Sequence, residues 1–249
     1  MGESLLEGGT ILRIAESSAE SRGNALFGVI AILSGLSFLV HLGVVFALPS
    51  PSSYQELATY KAHQTVYALL FFSIVVFNVF AVTFLAGLSR LLAPKLSKVA
   101  AGATASLAVG IVVTGLGVVL SIGALAALAG LPSDPAYTTD MTFEAAFWAN
   151  LQSLTNVFGD AFMGLGLILL GWVAWGSRVV PNWLAIIGVA GGLGAFAAIV
   201  ADPLAGISYF AFTIWSLVVG VIMLRRPGQV PGSGLTQVDI AIAVNPAEG

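Results

Sequence analysis

The chain has no cysteine and only two histidines, His41 and His63, among its 249 residues. The lack of cysteine excludes disulfides, thiolate metal sites, iron–sulfur clusters and cysteine nucleophiles. Two histidines are too few for a four-histidine diheme bundle or a multi-histidine metal cage built by this chain alone. Charged residues are also scarce, at 8% against roughly a quarter in an average soluble domain. So few charges cannot cover a water-soluble surface, which excludes a soluble globular enzyme, and a disordered chain would be more polar still.

Long apolar runs are the main feature of the sequence. Hydrophobic residues make up 58% of the chain, and the mean hydropathy is +0.99. A bilayer core needs about 20 mostly apolar residues per helix. Continuous runs without a two-residue alternation favour helices over the strands of a barrel. The sequence therefore predicts an all-α membrane protein, a six-transmembrane-helix bundle with spans at about 26–48, 65–89, 99–130, 146–176, 182–201 and 205–224.

The basic residues predict how these spans are oriented. Eight of the nine Lys and Arg residues fall on one side of a six-span arrangement, and Lys61 falls on the other. Because positive residues accumulate on the cytoplasmic side, we expect both termini in the cytoplasm and a multi-pass location in the inner (plasma) membrane. We expect a cytoplasmic arm over residues 1–25, a transmembrane domain over 26–226 and a flexible tail over 227–249, which opens with Pro, Gly and Ser.

Small residues inside the spans predict close packing between helices. Gly188 and Gly192 form a GxxxG step in the fifth span. Small residues let helix backbones approach each other in lipid, where the hydrophobic effect gives no help. We expect this step to serve packing within one chain, and a dimer seam is the alternative.

Polar side chains inside the spans are the candidates for function, because they are costly in a membrane. Gln152, Asn156 and Asp160 are spaced four apart in the fourth span and so share one helical face. His41 in the first span lies at a depth comparable to Asp160, and Asn78 lies deeper in the second span. We predict that these five residues form a polar pocket for protons or a solute. A His41–Asp160 pair that only fixes helix register is the alternative.

The motifs of soluble enzymes are missing, and no metal-ligand spacing is present. We therefore assign no catalytic residue and no metal site. We expect an accessory or structural subunit, or a small-solute or proton-coupled carrier with a pocket open to the outer side. The alternative is a membrane-embedded heme or pigment binder, or an enzyme, that uses His41; otherwise no cofactor is expected. The expected partners are the lipid bilayer and other membrane proteins or a second copy of the chain, and no basic run indicates nucleic acid.

The last third of the chain resembles a known family. Its fourth span is rich in glycine between Gly159 and Gly171, and a turn with the sequence SRVVPNWL follows at 177–184. The last span carries Trp215 and Gly220 in a Trp-x-x-x-x-Gly pattern. These features resemble a family of bacterial and archaeal six-span membrane proteins whose domain has no known function, best over residues 158–224. The resemblance implies a six-helix fold and transfers no activity and no catalytic residue.

Overall fold

The computed structural model describes residues 3–48, 55–131, 138–177, 180–200 and 206–225, with the backbone alone for 3–21, 90, 93–97 and 176–177. Within these ranges the chain forms six helices and no strand. The helices are α1 (Glu3–Ala47), α2 (Glu56–Ala62), α3 (Gln64–Ala129), α4 (Thr138–Ser177), α5 (Asn182–Ala198) and α6 (Ile207–Arg225). The predicted tail at 227–249 lies outside the described residues.

Among the described residues, five helical segments are long and apolar enough to cross a membrane. They are Arg22–Ala47, Gln64–Ser89, Lys98–Ala129, Thr138–Trp175 and Ile207–Arg225. Each matches a predicted span. The remaining predicted span corresponds to α5, which has 17 residues and is about 25 Å long, shorter than a hydrocarbon core of about 30 Å. Helix α1 passes through residue 25, the predicted border of the arm, without a break.

Helix α3 is a hairpin of two antiparallel halves, although its helical hydrogen bonding continues for 66 residues. Tyr67 of the first half and Leu125 of the second half line the same cavity. The Asn78 side chain lies against Gly115. A straight helix would hold these pairs more than about 50 Å apart. The chain must therefore reverse near Pro94, which agrees with two predicted spans joined by a turn. Gly130 ends the second half, and its N–H bonds back to the carbonyls of Ala126 and Ala127.

The helices pack side by side, and the first helix also packs on the last. Helix α1 lies between α6 and the first half of α3, the second half of α3 packs on α4, and α4 packs on α5. Trp172, Phe72 and Val40 on the outside of the bundle are each more than 60% exposed. Large apolar side chains in such numbers on a surface are explained by contact with lipid, since soluble monomers rarely expose large apolar patches.

Aromatic rings fill the centre between α1, the first half of α3 and α6. Phe38 stacks on Tyr209 with ring centroids 5.5 Å apart, and it contacts Phe77 at 5.4 Å. Phe212 completes the group against Phe77 at 6.2 Å and Phe84 at 6.0 Å. Rings at these spacings attract one another through offset or edge-to-face contact. Packing of this kind fixes the rotation of α6 in the bundle.

Glycines bring α4 and α5 into backbone contact. A methyl group at Gly192 would lie 2.5 Å from the Gly164 carbonyl oxygen, and one at Gly188 would lie 3.3 Å from the Cα of Gly171. The GxxxG step therefore serves packing within the chain, as expected. Helix α5 ends opposite the middle of α4, because Gly164 also faces Phe196 near the end of α5. The first 20 or so residues of α4 extend beyond this point.

Candidate functional site

A cavity of about 220 Å³ lies at the end of the bundle that carries α2, which we call the α2 end. It forms where α4 extends past the short α5 and α6, so that α1, both halves of α3 and α4 enclose it under α2. Its lining is His41, Val45, Leu48, Glu56, Tyr67, Leu70, Val118, Ser121, Ile122, Leu125 and Gln152. Six of these residues are aliphatic and five are polar or ionisable. The cavity can therefore hold a small molecule that has both an apolar and a polar part.

His41 contributes an imidazole held in one orientation. The side chain is 8% exposed, and its Nδ1 lies 2.9 Å from the Ser73 hydroxyl oxygen. That hydroxyl donates its one hydrogen to the Leu70 carbonyl, also at 2.9 Å. The serine oxygen must therefore accept a hydrogen bond from Nδ1–H, which assigns the neutral tautomer. Nε2 is then the basic nitrogen, able to accept a proton or a hydrogen bond.

Glu56 and Tyr67 form the second ionisable group of the cavity. Glu56 is the first residue of α2, and its Oε2 accepts a hydrogen bond of 3.1 Å from the Tyr67 hydroxyl. Burial raises the pKa of Glu56 above its ordinary value, because it disfavours the charged form, and the tyrosine hydrogen bond opposes this rise. The carboxyl group is thus able to exchange a proton closer to neutral pH than a solvated glutamate.

Ser121 and Gln152 add neutral polar groups to the lining of the cavity. Ser121 is 3% exposed in the second half of α3, and Gln152 is half-buried on α4. Both line the cavity. A hydroxyl and an amide can donate and accept hydrogen bonds without adding charge. The arrangement can orient a small polar solute between two groups that each bind or release a proton.

The five predicted residues fall into separate groups. His41 and Gln152 line the cavity together. Asp160 lies two turns farther along α4, where its Oδ1 accepts a hydrogen bond of 2.9 Å from Ser208 on α6. His41 and Asp160 therefore each bond to a serine on a different neighbour rather than to each other. The reason is that α6 begins next to Asp160, while His41 faces the first half of α3.

Asn78 and Asn156 lie outside the cavity lining. The Asn78 amide donates a hydrogen bond of 2.8 Å to the Ile74 carbonyl one turn earlier, and it packs against Gly115. Asn156 is half-buried on α4, one turn from Asp160. Asn78 thus takes part in packing between the halves of α3, and Asn156 belongs with Asp160.

Glu56 and Tyr67 were missed as site residues by the sequence reasoning. Glu56 lies outside the predicted spans and Tyr67 at the very start of one, whereas polar side chains deep inside a span are costly and are therefore the candidates for function. A usable signal was present, since Glu56 is the one acidic residue between the first two predicted spans. A lone carboxyl group that begins a short helix between two spans is well placed to reach into the bundle.

The comparisons with known proteins identify a family for this chain. No curated protein and no solved structure matches the chain. One family model matches residues 24–227, from the start of the membrane-spanning part of α1 to just beyond α6. This match is longer than residues 158–224, over which the resemblance is strongest, and it confirms that resemblance. The chain is a polytopic membrane protein and belongs to the family described as Domain of unknown function (DUF4386).

Proposed function

We propose that this protein is a carrier that binds a small polar solute in the cavity at the α2 end and couples its movement to protons. The observation that carries the proposal is that His41 and Glu56, from different helices, line one small cavity with Ser121 and Gln152. Ionisable groups at a buried membrane site are typical of substrate and proton pathways. Each of these two groups has a fixed serine or tyrosine partner that keeps it in place.

We propose further that α5 completes a sixth span and that the α2 end faces the outer side of the inner membrane. Arg22, Lys98 and Arg225 are exposed at the opposite end, whereas Lys61 is exposed in α2. This distribution favours cytoplasmic termini. In that orientation the cavity opens outward and a solute enters from outside the cell.

The size of the cavity favours a small solute over the alternative of a heme or pigment. Pockets for drug-sized ligands measure about 300–1,000 Å³, and this cavity measures about 220 Å³. A visible absorption band that disappears in His41→Ala would support the cofactor alternative instead.

The test begins with binding in detergent. A panel of small carboxylic acids, amines, amino acids and polyols is screened for solutes that raise the melting temperature of the purified protein. We expect at least one class to do so in the wild type and to lose most of its effect in His41→Ala and in Glu56→Gln. His63→Ala and Glu144→Gln are the matched controls, because both side chains are exposed, and they should keep the effect.

The second step measures coupling. The solute found in the screen is added outside liposomes that contain the protein and a pH-sensitive dye. We expect uptake together with acidification of the lumen, and loss of the acidification in Glu56→Gln. Uptake with no change in internal pH would contradict proton coupling, and equal binding by wild type and His41→Ala would contradict the site.

A further inference from the structure

A second polar group lies apart from the cavity, between the second half of α3, α4 and α6. Its centre is Asp160, which accepts the hydrogen bond from the fully buried Ser208. The Tyr209 hydroxyl lies beside Thr114 and within electrostatic range of Asp160. Thr114 Oγ1 lies against Gly159, the neighbour of Asp160. Three helices thus bring the Asp160 carboxylate and the hydroxyls of Ser208, Tyr209 and Thr114 into one region, and Asn156 lies one turn before Asp160 on the same face of α4.

Three of these oxygens, Thr114 Oγ1, Asn156 Oδ1 and the Tyr209 hydroxyl, are buried and make no well-formed hydrogen bond within the part of the chain that the structure describes. The hydroxyls of Thr114 and Tyr209 lie near enough to interact with each other, but not at the length and angle of an ordinary hydrogen bond. A buried polar group without a partner costs free energy, and in a membrane no bulk water is at hand to supply one. Buried polar groups in native proteins almost always have a partner, so one is expected here.

The chemistry of these groups selects the partner. Asp160 and the Asn156 carbonyl can only accept, and the hydroxyls of Thr114 and Tyr209 offer lone pairs as well. Ligand sets made only of oxygen suit hard cations. The group contains one carboxylate, so a singly charged cation leaves it neutral, whereas a divalent cation would leave an uncompensated charge in the membrane.

We propose that Asp160, Asn156, Thr114, Ser208 and Tyr209 form a binding site for a monovalent metal cation of the sodium class. The site is separate from the cavity of His41 and Glu56, and it does not depend on the proposed carrier function. Its place between α4 and the start of α6 means that a bound cation would add a second polar link between these two helices, beside the Asp160–Ser208 hydrogen bond.

The test is thermal unfolding of the purified full chain in detergent, in sodium chloride, potassium chloride or choline chloride at equal ionic strength. Because a ligand that binds only the folded state stabilises it by mass action, we expect the melting temperature to rise by about 3 °C per tenfold increase in sodium above its dissociation constant. Choline should have no such effect. The same shift in all three salts, or in none, would overturn the proposal.

Substitutions at the proposed cation site test whether the sodium-dependent rise in melting temperature arises there. Asp160→Asn should abolish the sodium-dependent shift while the melting temperature in choline stays the same or rises, because the shape is kept and the buried charge is removed. Thr114→Val and Tyr209→Phe should each raise the sodium concentration needed for half of the shift at least fivefold. These two milder variants keep the test decisive if Asp160→Asn folds poorly.

Two control variants show whether the sodium response belongs to this group of oxygens. Thr104→Val is matched to Thr114→Val, since Thr104 lies on the same helix half and already donates to the carbonyls of Ala100 and Ala101; it should keep the sodium response. His41→Ala should also keep it, because its site is separate. A sodium response that survives in Asp160→Asn, or that is lost in Thr104→Val to the same degree as in Thr114→Val, would refute the assignment and point to water as the partner of these oxygens.

Discussion

The contact between α4 and α5 predicts an unusual cost for adding one methyl group. In Gly192→Ala, the new methyl would lie 2.5 Å from the Gly164 carbonyl oxygen, 2.6 Å from Ile168 Cγ1 and 3.0 Å from the Ile168 nitrogen. Two of these three atoms belong to the backbone of α4, which cannot move aside without shifting the helix. Inserting a methyl into a tight core costs about 1–3 kcal/mol, and alanine recovers about 1 kcal/mol in helix propensity. We expect a net loss of about 0–2 kcal/mol.

Gly123→Ala is the matched control, since a methyl there would meet nothing within 4 Å. It should gain about 1 kcal/mol from helix propensity alone, so the two variants should differ by about 1–3 kcal/mol, or by roughly 2–12 °C in melting temperature. The assay is thermal unfolding in detergent, with the oligomeric state followed by light scattering. Equal stability of the two variants would refute the close contact, and a change in oligomeric state without a change in stability would show that the glycines face another chain.

Two further predictions concern the cavity and the orientation. Since burial raises the pKa of Glu56, folding favours its protonated form, so its contribution to stability is fully present below the ordinary pKa and is lost as the pH rises through the folded pKa. The melting temperature of the wild type minus that of Glu56→Gln should therefore fall from acidic to neutral pH. When Tyr67→Phe removes the opposing hydrogen bond, the same difference, measured with and without Glu56→Gln, should fall at higher pH. A difference that is flat or rises with pH would contradict this. Since the chain has no cysteine, single cysteines can report orientation: Lys61→Cys should react with an impermeant reagent outside intact cells and Lys98→Cys should not, and the reverse pattern would overturn the proposed orientation.

The membrane helices could be predicted from the sequence because each long apolar run needs only local information. Length and hydropathy are enough to place Gln64–Ser89 and Lys98–Ala129, and Pro94 between them indicates the reversal that the hairpin shows. The GxxxG step was also interpreted correctly, since close packing within a chain is the commonest use of such a step in membrane helices. The length of α5 was harder to predict, because its apolar run continues past Ala198, where the helix ends.

The partners of the polar residues could not be predicted in the same way. Spacing along α4 showed that Gln152 and Asp160 share a face, but neighbouring helices cover different parts of that face. Gln152 meets the cavity at the α2 end, and Asp160 meets Ser208 at the start of α6. Which helix lies opposite each turn depends on where α6 begins, and that is set by the packing of Phe38, Tyr209 and Phe212 rather than by any local pattern.

The short α5 and α6 also bear on the lipid around the protein. Their lengths of 17 and 19 residues correspond to about 25 and 28 Å, whereas the segment Lys98–Ala129 has 32 residues, about 48 Å. A bilayer adapts to a short span by thinning and to a long span by thickening or by tilting the helix. Lipid headgroups should therefore sit deeper beside α5 and α6 than around the rest of the protein. The protein would thin the bilayer locally beside α5 and α6, and its stability should depend on the chain length of the lipids that surround it.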